Sequence, residues 1–138
     1  MTDIALDSTR NVNVVFSEVA EIRDFKEAET LALGDVVYIN TAGKAAKADA
    51  NAAGKQQARG IVVFKQGNTV SILKRGYVAG FDLASIAYDA QLFLSDTVGK
   101  LADAAGTMSV PCARVSNLAN DSLTKILYVD FNWITQWS

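Results

Sequence analysis

The amino-acid sequence predicts an all-β protein with little helix, in which two tandem β units form a compact sandwich or barrel-like body behind an extended N-terminal arm. Three observations carry that expectation. Apolar residues fall in short β-branched or aromatic runs bounded by turn residues, as in Val36-Val37-Tyr38-Ile39 and Leu92-Phe93-Leu94, which is strand patterning rather than helical periodicity. The stretch from Phe25 to Lys44 aligns without a gap on Phe81 to Lys100, and a period of about 56 residues suits a duplicated supersecondary unit. Gly67-Asn68 separates two strand-like runs, Ile61 to Gln66 and Thr69 to Leu73, a strong hairpin signal because a primed turn matches the twist of its strands.

Residues 1–18 are read as the arm and a first strand. Met1 to Asn11 is polar and too poor in apolar residues to fold alone, so it is expected to be ordered by a partner, with Asp3, Ile4 and Leu6 as candidate contacts. Asn11 to Phe16 is expected to enter the sheet. Unit one covers 19–74. Its Phe25 to Leu33 segment, with alternating charge and good helix formers, suggests one helical turn before Gly34-Asp35. Val36 to Ile39 is apolar at every position, which suits a strand covered on both faces. Asn40 to Lys44 is a turn in which Gly43 supplies a positive φ. Ala45 to Ala58, rich in Ala, Lys and Gln, is compatible with a short helix but is read as a surface loop, since its counterpart Leu101 to Ser109 is shorter and length variation belongs in exposed loops.

Unit two covers 75–130. Phe81 to Tyr88 is read as extended or loop, Leu92 to Leu94 as a strand, and Asp96 to Lys100 as a turn with Gly99 in the role of Gly43. Residues 131–138 form an aromatic tail holding Phe131, Trp133 and Trp137. Two readings stay open: large anchors that fill a partner's pockets, or a final strand that closes the chain's own sheet.

Composition narrows the function. The chain has 138 residues, half of them apolar, and a net charge of -2. That suits one compact body and leaves no basic footprint for nucleic acid. No apolar run approaches the ~20 residues of a membrane-spanning helix, and the N-terminus lacks the pattern of a Sec-type leader, so synthesis in a cytoplasm is expected. With no histidine, Ser-His and Cys-His nucleophile pairs and two-histidine metal motifs are excluded. The single cysteine, Cys112, lies in the apolar run Val110 to Val115 and is expected to be a buried hydrophobe. Asp35, Asp89, Asp96 and Asp103 sit at turns or strand ends, where solvated acids are expected. Ala53-Gly54-Lys55-Gln56 imitates the end of a phosphate loop but lacks its first glycine and the Ser or Thr after Lys. Asn120-Asp121-Ser122 matches the N-glycosylation pattern without an export signal. No catalytic residue, metal or cofactor is expected.

Arg59 and Arg114 recur before apolar strand segments, and Lys44 and Lys100 after turn glycines. The lysines are read as solvated. Each arginine either ties a loop carbonyl or an acid within the chain, or bridges to an acidic partner surface. Lys74-Arg75 is read as a polar connector between the units.

The strings Leu33-Gly34-Asp35-Val36-Val37-Tyr38-Ile39, Ala58-Arg59-Gly60-Ile61-Val62 and Ala90 to Leu101 resemble the capsid decoration (cement) and head-fibre proteins of tailed bacteriophages, over roughly Ala28 to Asp130. The resemblance implies a β-rich virion protein on the outer capsid surface, made in the host cytoplasm. It further implies a homo-oligomer, a trimer by preference, that holds capsomer junctions by binding the major capsid protein. A receptor- or carbohydrate-binding head fibre and another neck or tail component are the alternatives.

Overall fold

The computed structural model describes residues 2–8, 11–118 and 124–137. Asn120-Asp121-Ser122 lies outside them. Among the described residues ten strands run in chain order: β1 Asn13–Val15, β2 Glu21–Lys26, β3 Val36–Ile39, β4 Ala45–Lys47, β5 Gly60–Gln66, β6 Thr69–Ala79, β7 Gln91–Leu94, β8 Leu101–Ala102, β9 Pro111–Asn117 and β10 Lys125–Asp130. The one helical element described is a 3-10 turn, Ser17–Val19. All ten strands pair antiparallel in a single sheet curled into a half-barrel. The all-β expectation therefore holds, and no helix among the described residues is long and apolar enough to cross a bilayer.

Strand order through the sheet is β4-β3-β5-β6-β10-β9-β7-β8, with β1 and β2 also paired to β6. The first four positions mirror the last four: β3, β4, β5 and β6 are arranged as β7, β8, β9 and β10 are. The aligned triplets Val36 to Tyr38 and Leu92 to Leu94 fall in β3 and β7. The halves are joined by the β6–β10 ladder, and β6 runs unbroken through Lys74 and Arg75, so the units share one sheet.

Three bulges decide which side chains face the core. Leu92 pairs Ala113 while Phe93 pairs Pro111, leaving Cys112 as the extra residue; Cys112 and Ala113 then both turn inward. Val63 is the extra residue between β5 and β6. Lys74 is extra between β2 and β6, which switches the phase of β6. Before it Val70 and Ile72 belong to one buried cluster and the alternating Leu73 to the other; beyond it Val78, in step with Val70 and Ile72 by number, belongs to the cluster of Leu73. A bulge that inserts one residue re-aims every side chain beyond it.

The larger cluster fills the inside of the curl from both halves, with Val36, Ile61, Leu73, Val78, Leu92, Leu94, Leu127 and Val129 among its members. The smaller cluster lies on the opposite face of the first half: Leu31, Val37, Ala45, Val62, Val70 and Ile72. β3 is thus covered on both sides, as its unbroken apolar run predicts. The far ends of the sheet meet through main-chain bonds: Val36 N donates to Gly99 O, Gly99 N to Ala48 O, and Ala50 N to Ser95 O.

The turns follow the sequence. Gly67 has φ 61° in the two-residue β5–β6 hairpin, and Gly43 and Gly99 have φ of 79° and 77°. Asn40 closes its turn by accepting from the amides of Ala42 and Lys44. Lys44 and Lys100 are exposed.

Four expectations are corrected. Phe25 to Leu33 contains no helical turn: Phe25 and Lys26 end β2, and the chain beyond lies along β4, where Ala28 N donates to Ala45 O. Ala45 to Ala58 is not simply a surface loop, because it opens with β4 and buries Ala45, Ala46, Ala48, Ala50 and Ala58. Small side chains are needed there, under the crossing turn of unit two. Asp35 is not solvated. It is buried and accepts from Ala32 N, closing the turn before β3. The described part of the arm, residues 2–8, is held by this chain itself and not by a partner. Ile4 N donates to Leu101 O, Asp103 N to Thr2 O, Asp7 N to Gly80 O and Asp82 N to Ala5 O, so its main chain completes the β8 edge.

Candidate functional site

The sequence-predicted site residues separate into three places. In the arm, Ile4 is 5% exposed and part of the main core. Asp3 bridges Ala102 and accepts from Ser95 Oγ, and Leu6, still largely exposed, bridges Phe81. Among the described arm residues Ile4 is the apolar side chain that turns into the core, between Asp3 and Ala5, which lie on the other side.

The tail gathers four of the candidates. Phe131 is buried in the main core. Residues 131–137 form no strand among the described residues; they lie over the first half as an irregular strap. Trp133 packs against both clusters, donates Nε1 to Arg59 O at 2.6 Å, and has Arg23 and Lys74 over its ring at 5.8 and 5.7 Å. Arg59 Nη1 donates to Asn132 O and Thr135 O. Gln57 brackets Trp137, accepting from its N and donating to its O, which also receives Gln56 Nε2. The final-strand reading does not describe the tail: its half-buried tryptophans are engaged within the chain, yet not as a strand. Arg59 ties loop carbonyls, the structural role weighed for it, and its burial lowers its pKa. Ile134, 92% exposed, projects outward.

Arg114 lies elsewhere, on the outer face of the second half. Its Nη1 donates to Asp89 O, and the carboxylate of Asp89 stands 3.9 Å away. Register places it in a row across five strands: Val15 of β1 beside Tyr77 of β6, Tyr77 beside Tyr128 of β10, Tyr128 beside Arg114 of β9, and Arg114 beside Gln91 of β7. Directly opposed residues of a ladder share a face, and here it is the face away from the main core, since the adjoining Val78, Leu127, Val129 and Val115 point inward. Phe16 meets Tyr77 edge-on at 5.3 Å, and Tyr77 lies 5.1 Å from Tyr128. Beside Tyr128 a shallow cleft is lined by Gln91, Pro111, Arg114 and Asp130. Burial, and then the nearby Asp130 carboxylate, raise the Tyr128 phenol above its ordinary pKa.

Sequence reasoning missed Phe16, Tyr77 and Tyr128. A signal existed for two of them. Gly76-Tyr77-Val78 and Leu127-Tyr128-Val129 each set an aromatic at a position alternating with core residues, which sends it to the other face. What the sequence does not show is that this face is covered over the first half, by the smaller cluster and Trp133, and open around Tyr128.

The remaining candidate groups are engaged in structure. Cys112 is buried, and burial pushes its thiol up to about 12. Asp96 accepts from Thr107 N and Oγ1, and Asp103 from Thr2 N. Glu27, held below the usual carboxylate range by the Leu31 amide and then Lys65, staples the loop before β3. Comparison of the chain with protein-family models, with curated proteins and with solved structures gave no match.

Proposed function

We propose that this chain is a non-enzymatic virion structural protein that binds the major capsid protein on the outer surface of a bacteriophage head and stabilises capsomer junctions. It does so as a homo-oligomer, a trimer by preference. The observation that carries the reading is the way the chain commits its polar groups. The acids, amides and Arg59 guanidinium of the arm, turns and tail close this chain's own loops, and the outer face of the second half sets Tyr77, Tyr128 and Arg114 in one row beside Phe16. Tyr and Arg on such a face are the residues that concentrate binding energy at protein interfaces. The resemblance to decoration proteins supplies the partner, and symmetric copies on a shell make modest contacts sufficient.

The test is co-sedimentation of the purified chain with expanded empty heads assembled without it. Saturable, stoichiometric binding that raises the temperature at which heads disrupt is expected. Absence of binding, or binding to host cells in its place, overturns the reading.

A further inference from the structure

We infer that the cleft beside Tyr128 is a carbohydrate site for a single neutral sugar ring. Its lining is the pattern that polyhydroxy ligands require: a phenol ring and the ring of Pro111 as apolar walls, with the planar amide of Gln91, guanidinium of Arg114 and carboxylate of Asp130 around them. A sugar hydroxyl is donor and acceptor at once, so planar groups offering two donors or two acceptors in a fixed fork pair with neighbouring hydroxyls. The C–H face of the ring packs on an aromatic.

Charge argues for a neutral occupant. Arg114 is matched by Asp89, at 3.9 Å, and Asp130 by Arg75, at 3.4 Å. The cleft therefore offers neither sign in excess to an anionic or cationic ligand. Size points to one ring, because its volume of about 170 Å³ falls below the ~300–1,000 Å³ of pockets for larger ligands. The cleft lies on the same outer face that the capsid reading uses, so a sugar and a capsid subunit would compete for it.

The full chain, labelled with ¹⁵N, is titrated separately with the methyl glycosides of glucose, galactose and mannose and with N-acetylglucosamine, up to about 50 mM, a range suited to weak single-ring binding. Saturable amide shifts confined to Gln91, Arg114, Tyr128 and their neighbours are expected for at least one sugar. Gln91→Ala and Tyr128→Leu, the latter keeping the strand's apolar packing, should each weaken that sugar about tenfold. No saturable shift with any of the four, or unchanged affinity in both variants, overturns the assignment. So do shifts at these amides that depend on protein concentration alone and vanish in Arg114→Glu, which would make a second copy of the chain the occupant. Sugar binding without co-sedimentation on heads removes the decoration reading and leaves this one standing; co-sedimentation without sugar binding does the reverse.

Discussion

Gly80, just past the end of β6, shows how tightly single residues constrain this fold. Its φ is 106°, and a Cβ there would lie 2.6 Å from Val12 Cα and 2.8 Å from Asn11 O, backbone atoms that cannot swing aside. Gly80→Ala combines left-handed strain with a clash and should cost at least about 2 kcal/mol, read as a lowered urea midpoint. Gly43, with nothing near its missing Cβ, carries only the conformational cost, and Gly43→Ala should lose about 1 kcal/mol. Cys112 gives a pH dependence. Its thiol rises from 9.0 to about 12 on folding, so the folded chain holds that proton where the unfolded chain has released it. The stability it confers is complete below pH 9 and is lost between about 9 and 12, by up to ~1.4 kcal/mol per pH unit. In Cys112→Ala that part of the alkaline slope should vanish from the unfolding free energy, after a constant core-packing loss of about 1 kcal/mol. The same burial should keep the native thiol silent to disulfide reagents at pH 8 until urea is added.

At the scale of elements, the arm and the strap each close what the sheet leaves open. The arm covers the β8 edge with main-chain bonds and sets Ile4 into the main core. Removing residues 1–8 should therefore destabilise the isolated chain, by about 2–4 kcal/mol from the loss of one buried isoleucine and its surroundings, and not merely weaken attachment to a partner. An unchanged melting temperature would show that these bonds do not hold in solution. The strap shields the smaller cluster through Trp133. Trp133→Ala removes the ring packed on Phe25, 6.0 Å away, and leaves Arg59 O without its indole donor; a loss of about 3 kcal/mol is expected by chemical denaturation. β2 meets a different need. It pairs only with β6 among the described residues, and its exposed Glu21, Arg23, Asp24 and Lys26 are the charges that discourage a further strand from adding to an edge.

Over the whole molecule the two halves are one cooperative body. The main cluster draws on both, β6 spans their junction, and the turn at Gly99 locks onto Val36 and Ala48. A fragment of residues 75–130 lacks the first part of β6 and half of its core partners, so it should be unfolded alone, with collapsed amide dispersion by NMR. A well-dispersed spectrum would make the second half an autonomous domain. The same continuity explains why the outer face is asymmetric. Duplicated strands supply two equivalent faces, yet the Phe25 to Leu33 segment and the strap cover only the first. The second keeps Tyr77, Tyr128 and Arg114 toward solvent.

Strand class, the turn glycines, the Gly67-Asn68 hairpin and the burial of Cys112 are legible in the sequence, because each follows from local sterics or from alternation within a few residues. It also marked Arg59, Arg114 and the two tryptophans as special. Where they act depends on contacts distant in the chain. Bulges at Val63, Lys74 and Cys112 shift the facing of whole strands, and a one-residue shift is invisible in composition. The partners of Arg59 and Trp133 lie more than seventy residues away in the chain, beyond any local pattern. The alanine-rich stretch read as a loop is buried for the same reason: its fate depends on the unit-two turn that lands on it. The open face exists because the end of β2 with the loop after it, and the strap, cover one half of a duplicated sheet and not the other, a choice made by packing across the chain.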